Sequence, residues 1–319
     1  MFLLQRKNTF FGTVDGSPLR PDLLAVMSIE QINSIELDSD RGTVRLEQLF
    51  DVSTDSLPHE PFLVVDGDCE RLDLLGKEMA SGTLCVLGNI GDRLGQSMRG
   101  GTIVVSGNAM NHVGSDMSNG LIYIAGNCEH FLASPIPGKK SGMRGGDILV
   151  AGNVGDRACE RMRRGTVFVA GDAGAFCAPQ MIAGTLVVMG KLGREWAGGM
   201  RRGSLILGQD YRTEPTASLS EPRDFELSFL PLVWRHVERV QNDAIGALTL
   251  SVSFSAQSLQ RTARQAPGPI KIPRTRWVQR QIADLCFSGR GEVLVLRRIS
   301  SPAYQANELL SLHGHTRQV

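Results

Sequence analysis

Met98-Arg99-Gly100-Gly101-Thr102-Ile103-Val104-Val105-Ser106-Gly107-Asn108 decides the fold, because it recurs along the chain. Its core reads Gly-x-h-h-h-x-Gly, where h is apolar or Cys. Copies start at Gly82, Gly101, Gly120, Gly146, Gly165 and Gly184, and a seventh, from Gly203, closes one residue early at Gly208. The start-to-start spacings are 19, 19, 26, 19, 19 and 19, the outlier being one period plus a seven-residue insert around Ser134-Pro135-Ile136-Pro137-Gly138-Lys139-Lys140. A weaker copy runs from Pro61 to Gly67. Self-similarity at such a period marks a stacked array of small units that bury their apolar faces against one another.

With the first glycine of each copy as position 0, position +2 holds Leu84, Ile103, Ile122, Ile148, Val167, Leu186 and Leu205, and position +4 holds Val86, Val105, Ile124, Val150, Val169, Val188 and Leu207. Residues two apart share one face of a strand, so both columns face a core. Glycine returns at +6, in Gly88, Gly107, Gly126, Gly152, Gly171 and Gly190, followed by Asn or Asp in five of these six copies. Such pairs predict turns that use positive φ. Further core columns are predicted at +12 (Leu94, Val113, Leu132, Ala158, Cys177, Trp196) and at −3, where Met79, Met98, Met117, Met143, Met162, Met181 and Met200 take up seven of the eleven methionines. Met fills irregular gaps between stacked units.

Short strands between glycine turns leave no room for crossover helices. They predict an all-β-dominated chain, a parallel β-helix of about seven to eight 19-residue coils with small α/β terminal segments. Three regions follow: a capping segment over 1–60, the β-helix over 61–210 and a C-terminal segment over 211–319. Ser28-Ile29-Glu30-Gln31 reads as a capping box opening a short helix, and Thr43–Glu47 alternates like a strand. In the last region, Val233, Val237 and Val240 predict a helix over 231–240. The stretch 246–275 reads as a loop insertion, Val278, Ile282 and Leu285 predict a second helix over 277–287 capped near Gly289, 292–296 reads as a strand, and 300–319 as a mobile tail.

Composition narrows the function. A net charge of +1 argues against a nucleic-acid surface. No run approaches the roughly 18 apolar residues of a membrane span, and Met1–Lys7 has no signal-peptide core; the expected location is cytoplasmic. The six cysteines, at 69, 85, 128, 159, 177 and 286, form no Cys-x-x-Cys pair and read as reduced core thiols. No nucleophile elbow, phosphate loop or metal-ligand spacing is present. His313-Gly314-His315 stands in the tail without a further ligand, and His112 and His130 fall in turns of the repeat. The expected catalytic and metal-ligating sets are therefore empty.

Two columns exceed what folding needs. Position +3 should point away from the core, yet holds Cys85, Val104, Tyr123, Leu149, Phe168, Val187 and Ile206. A strand apolar on both faces is covered on both; the cover is either the chain's own terminal segments or a partner subunit, with Tyr123, Leu149, Phe168 and Val187 as candidate interface residues. Arginine recurs just before position 0, as Arg99, Arg144, Arg163 and Arg201 at −2 and Arg164 and Arg202 at −1. Stacking predicts one basic edge, suited to carboxylates or phosphates.

The array resembles the GXGXG domain family, of which two branches apply: the C-terminal domain of the glutamate synthase large subunit, and the C subunit of formylmethanofuran dehydrogenase. The second fits better, on Met27-Ser28-Ile29-Glu30-Gln31-Ile32, Val64-Val65-Asp66-Gly67-Asp68 and the Met98–Asn108 repeat. The segments Arg161-Met162-Arg163-Arg164-Gly165-Thr166 and Met181-Ile182-Ala183-Gly184-Thr185-Leu186 resemble the methylotroph homologue, the C subunit of a formyltransferase/hydrolase complex. The resemblance spans about 20–240 and 277–297. It implies a place in tetrahydromethanopterin-linked C1 metabolism. A formyl group passes to a methanofuran-type carrier and is hydrolysed to formate, or, in the redox version, a tungsten or molybdenum enzyme reduces carbon dioxide. Formyltransferase and metal-hydrolase-like subunits, with the carrier and the metals, are the implied partners; this chain is the implied non-catalytic scaffold with no cofactor of its own. The carrier's glutamate-rich tail is an implied ligand of the arginine edge. The alternative is a glutamate-synthase-like structural domain of an amidotransferase.

Overall fold

The computed structural model describes residues 1–7, 12–54, 60–208, 215, 218–259, 269–283 and 289–297. Before the repeat come β1 (Phe2–Arg6), β2 (Val14–Asp15), α1 (Pro21–Leu24), α2 (Ile29–Asn33), β3 (Glu36–Leu37), β4 (Val44–Arg45), α3 (Leu46–Leu49) and β5 (Phe50–Thr54). The Ser28 box opens α2, with Gln31 N–H donating to Ser28 Oγ at 3.3 Å and Ser28 N–H to Gln31 Oε1 at 2.9 Å. The strand expected over Thr43–Glu47 stops after Arg45, where Leu46 is buried as the first residue of α3.

Next come β6 (Phe62–Asp66), β7 (Leu72–Asp73), β8 (Thr83–Leu87), β9 (Thr102–Val105), β10 (Leu121–Ile124), β11 (Asp147–Val150), β12 (Thr166–Val169), β13 (Thr185–Val188) and β14 (Ser204–Leu207), then β15 (Arg223–Glu226), α4 (Leu230–Leu259), β16 (Trp277–Ala283) and β17 (Gly291–Leu296). The fold is mostly β, dominated by a 13-stranded sheet in the order β15-β16-β17-β14-β13-β12-β11-β10-β9-β8-β6-β1-β5. From β1 to β17 the neighbours run parallel; β5, β16 and β15 close the two ends antiparallel. Equivalent repeat positions pair throughout, as in Val104↔Tyr123↔Leu149↔Phe168↔Val187↔Ile206. The seven-residue insert leaves the register of β10 and β11 intact. A second row of parallel bridges joins Cys69, Ile90, Ala109, Cys128, Val154, Ala173 and Leu192, one per repeat at +8.

The sheet is buried on both faces. The +2, +4, +8 and +12 columns and all seven methionines at −3 lie in one cluster, the methionines with no exposed surface. The +3 column lies in the second cluster with Leu230, Trp234, Val237, Val240, Ala244, Leu248 and Val252 of α4. These recur at the helical period of three to four, so one stripe of α4 seals the sheet.

Three sequence expectations fail in the C-terminal part. The helix foreseen over 231–240 continues to Leu259, so 246–259 is not loop. This stretch is rich in Ser, Thr and Gly, poor helix formers. Its hydroxyls instead bond the preceding turn: Thr249 Oγ1 donates to Ile245 O, Ser251 Oγ to Ala247 O and Ser253 Oγ to Thr249 O, at 2.8–2.9 Å. The helix foreseen over 277–287 is strand β16 up to Ala283; its remainder, with Leu285, lies outside the described residues. Sheet pairing overrides the helical spacing, because β17 stacks on β14 and presents an open edge that β16 fills. Ile282, buried in the helical reading, is 38% exposed. The tail 300–319, with His313 and His315, and the first part of the 260–275 loop also lie outside the described residues.

The glycines are needed for two different reasons. Position-0 glycines take positive φ, from 83° at Gly101 to 105° at Gly184, and a Cβ on Gly101 would sit 2.6 Å from Gly82 O. The +6 glycines do not take positive φ, contrary to the turn chemistry expected of them. They are required because the backbones approach closely: a Cβ on Gly107 would lie 2.5 Å from Gly88 O and 2.4 Å from Asn89 Oδ1.

Candidate functional site

The arginine edge follows from the register. Strand pairing superposes each position 0 on the next, so the residues just before it stack in rows. Arg99, Arg144, Arg163, Arg164, Arg201 and Arg202 are all exposed. They differ in their partners. Arg99 reaches Glu78 at 3.4 Å and Arg144 reaches Asp116 at 2.9 Å. No described carboxylate pairs with Arg163, Arg164, Arg201 or Arg202. The repeat between these pairs carries Ile182 and Ala183 in the same rows.

Sequence reasoning missed a further member. Because β17 pairs with β14 as Ser204↔Glu292, Gly291 occupies position 0 of one more unit. Arg290 therefore stands in the −1 row, and its N–H donates to Arg201 O at 2.6 Å. Its side chain is exposed and has no described ionic partner. The repeat could not reveal it, since some 80 residues separate Gly291 from Gly208 in the chain.

Tyr123, Leu149, Phe168 and Val187 are 0–1% exposed beneath α4. In this structure the chain's own helix α4 lies over them. Burial pushes the Tyr123 phenol above its ordinary range, and its hydroxyl has no hydrogen-bond partner among the described residues. α4 is pinned over β11 by His236, whose Nε2 lies 3.0 Å from Asp147 Oδ1 while Arg239 Nη2 approaches Nδ1 at 3.3 Å. A guanidinium can only donate, so the imidazole proton belongs on Nε2.

The remaining polar columns are occupied by structure. Asn89, Asn108, Asn127, Asn153 and Asp172 each accept the backbone N–H of the same position one repeat on, at 2.7–2.8 Å. A second ladder at +10 runs through Asp73, Asp92, Asn111, His130 and Asp156. At +11, His112 stacks on Phe131 at 4.7 Å and 6°, and Arg157 lies between the Phe131 and Phe176 rings at 5.9 and 6.0 Å. Both turn histidines are thus structural members of the array.

The described cysteines are enclosed in the cores. Five cysteines are free and buried; burial pushes the Cys69, Cys85 and Cys177 thiols up to about 12 and raises Cys128 and Cys159 as well. Thiols so raised are poor nucleophiles at neutral pH. Cys286 lies outside the described residues. A pocket lined by Arg6, Val14, Leu49, Phe50, Cys69, Arg71 and Leu72 holds one of these thiols. Among the described residues no three His, Cys, Asp or Glu side chains are grouped to hold a metal ion, and no helix is long and apolar enough to cross a membrane.

Comparison with known proteins places these features. Residues 138–218 match the GXGXG motif family. The chain is 31% identical over 74 residues to the C subunit of the tungsten-containing formylmethanofuran dehydrogenase 2 of Methanothermobacter wolfeii, a match covering 23% of this chain and 27% of the relative. It is 34% identical over 91 residues to the C subunit of the molybdenum-containing formylmethanofuran dehydrogenase 1 of Methanothermobacter marburgensis, covering 28% of this chain and 22% of the relative. The matches to these relatives thus span about a quarter of their length. A chain in the crystal structure of the formyltransferase/hydrolase complex (FhcABCD) from Methylorubrum extorquens, in complex with methylofuran, superposes with a TM-score of 0.74 at 29% identity, covering 93% of this chain and 100% of that one. The chain carries a GXGXG domain and is a homologue of the C subunit of formylmethanofuran dehydrogenase.

Proposed function

We propose that this chain is the non-catalytic scaffold subunit of a formyltransferase/hydrolase-type complex in tetrahydromethanopterin-linked C1 metabolism. The carrying observation is the superposition over the whole of a chain from such a complex. The side-chain inventory is consistent with it: the repeat glycines, the −3 methionines, the Asx ladders and the five described cysteines all have structural positions. In this reading the methanofuran-type carrier, the metals and the formyl chemistry belong to formyltransferase and metal-hydrolase-like partners. The hydrolytic version is favoured over the redox one because the superposed chain comes from the hydrolytic complex.

The scaffold is, in the same proposal, a parallel β-helix with 1–60 and 211–319 as flanking segments. Support comes from the strand ladder, the +8 bridge row and the two Asx ladders, which all advance by one repeat per step. Such a prism is rigid because every unit bonds both neighbours. Co-expression with formyltransferase and hydrolase subunits, followed by size-exclusion chromatography, tests the role. One complex containing this chain is expected, with the other subunits separating when it is omitted. Unchanged assembly without it would refute the scaffold reading.

A further inference from the structure

We infer that the outward stripe of α4 is an interface at which two copies of this chain meet, their helices antiparallel about a two-fold axis. The side of α4 turned away from the sheet carries Leu232, His236, Arg239, Asp243, Gly246 and Leu250. These advance by steps of four, three, four, three and four, the spacing that keeps one helix against another over several turns. Leu232 and Leu250 are 62% and 61% exposed, in contrast to the buried stripe on the opposite side. They stand about 27 Å apart along the axis and a whole number of turns from each other, so both project from the same side. Phe229, 40% exposed, lies one turn before Leu232 and widens that apolar end; Leu232 N–H donates to Phe229 O at 2.9 Å.

The stripe is complementary to its own reverse. In an antiparallel pair centred on Gln241, Leu232 of one copy faces Leu250 of the other, and Arg239 faces Asp243; the two-fold axis repeats both contacts. A parallel pair would set Arg239 against Arg239 and Asp243 against Asp243, so charge selects the antiparallel arrangement. Asp243 is exposed and has no ionic partner among the described residues. Arg239 turns one nitrogen toward His236 and keeps further N–H donors for a carboxylate. Gly246 fits the same arrangement. Glycine weakens a helix interior, and a Cβ at Gly246 would meet nothing within 4 Å, so packing within the chain does not call for it. Opposite His236 of the second copy, it leaves room for that ring and lets the two axes approach. A net charge of +1 sets up no general repulsion between copies. One helix face covers less than the roughly 800 Å² per partner of a standard interface, so the dimer is a weak, concentration-dependent one. The inference rests on α4 alone and goes beyond the scaffold reading, on which it does not depend.

Sedimentation velocity of the full-length chain, from about 1 to 500 µM, reads the association directly. The wild-type chain should pass from monomer to dimer as concentration rises. R239D and D243R each put like charges at both contacts and should weaken the dimer about tenfold or more, with thermal midpoints confirming that both variants fold. Mixed in equal amounts, the two variants should pair with each other, because an acidic stripe then faces a basic one. An L232C chain mixed with an L250C chain should cross-link on mild oxidation. Neither should cross-link alone, since like positions lie about 27 Å apart in the antiparallel pair. A wild-type chain that stays monomeric over the whole range would overturn the inference. So would a dimer indifferent to either charge reversal, a mixture of the two variants that fails to associate, or cross-linking of L232C with itself.

Discussion

Asp156 donates its backbone N–H to Nδ1 of His130 at 2.9 Å, where the neighbouring repeats place an Asn or Asp oxygen. His130 therefore acts as an Asx residue would: its ring nitrogen continues a ladder that satisfies one turn N–H per repeat. The proton then sits on Nε2, since a protonated Nδ1 cannot accept. His130→Ala should cost about 0.5–1 kcal/mol, the net worth of one hydrogen bond, because the exposed Asp156 N–H then turns to water. His130→Asn should restore most of it, because Asn111 already fills the same role one repeat earlier. Urea denaturation of the three proteins checks this. Equal stability of the Ala and Asn variants would show that the ladder does not matter at this rung.

The methionine row makes a second test. Met162 has no exposed surface, and its Cε would lie 3.0 Å from a Cβ on Gly184 in the next repeat. Met162→Ala removes buried volume that neighbouring repeats cannot refill and should cost roughly 2–5 kcal/mol. Val169→Asp should cost more, since it places an unpaired carboxylate in the same core. Thermal unfolding reads both; an unchanged midpoint for either variant contradicts the column assignment.

How far these columns were legible depended on what set them. The +2, +4, +12 and −3 columns were readable because stacked units repeat their own burial pattern, and the glycines because close stacking excludes a Cβ. The +3 column showed that both faces of the sheet are covered. It could not name the cover, because the far half of α4 packs through Leu248 and Val252 in a stretch whose Ser and Thr residues read as loop. β16 was misread as a helix since Val278 and Ile282 suit either period, and only the free edge of β17 decides between them. Arg290 was hidden for the same reason: its membership of the arginine rows exists only once β17 has paired with β14. The +10 ladder escaped because its acceptors change identity from Asp to Asn to His.

Acid sensitivity follows from His112. Burial, and then the nearby Arg93 guanidinium, hold its pKa below the usual 6.5, and its Nδ1 is buried without a partner. The folded state thus resists protonation that the unfolded chain accepts. The stability at stake is intact above about pH 6.5 and is lost as pH falls through the depressed folded value. His112→Phe keeps the stack on Phe131 and suits this left-handed position, which Phe131 and Phe176 occupy in later repeats. The variant should match wild type near pH 8 and surpass it below pH 6, by up to about 1 kcal/mol. Parallel pH dependences for the two proteins would contradict this role for His112.

The scaffold proposal holds that this chain organises a formyl-processing complex without taking part in its chemistry. Formate release from a formylated methanofuran-type carrier decides the matter when followed in three preparations: the purified chain alone, the partner subunits alone, and the reconstituted mixture. The expected pattern is no turnover by the chain alone, impaired coupled transfer and hydrolysis by the partners alone, and full activity only when the chain is added back. Formate release by the isolated chain, or full coupled activity in its absence, would refute the scaffold role.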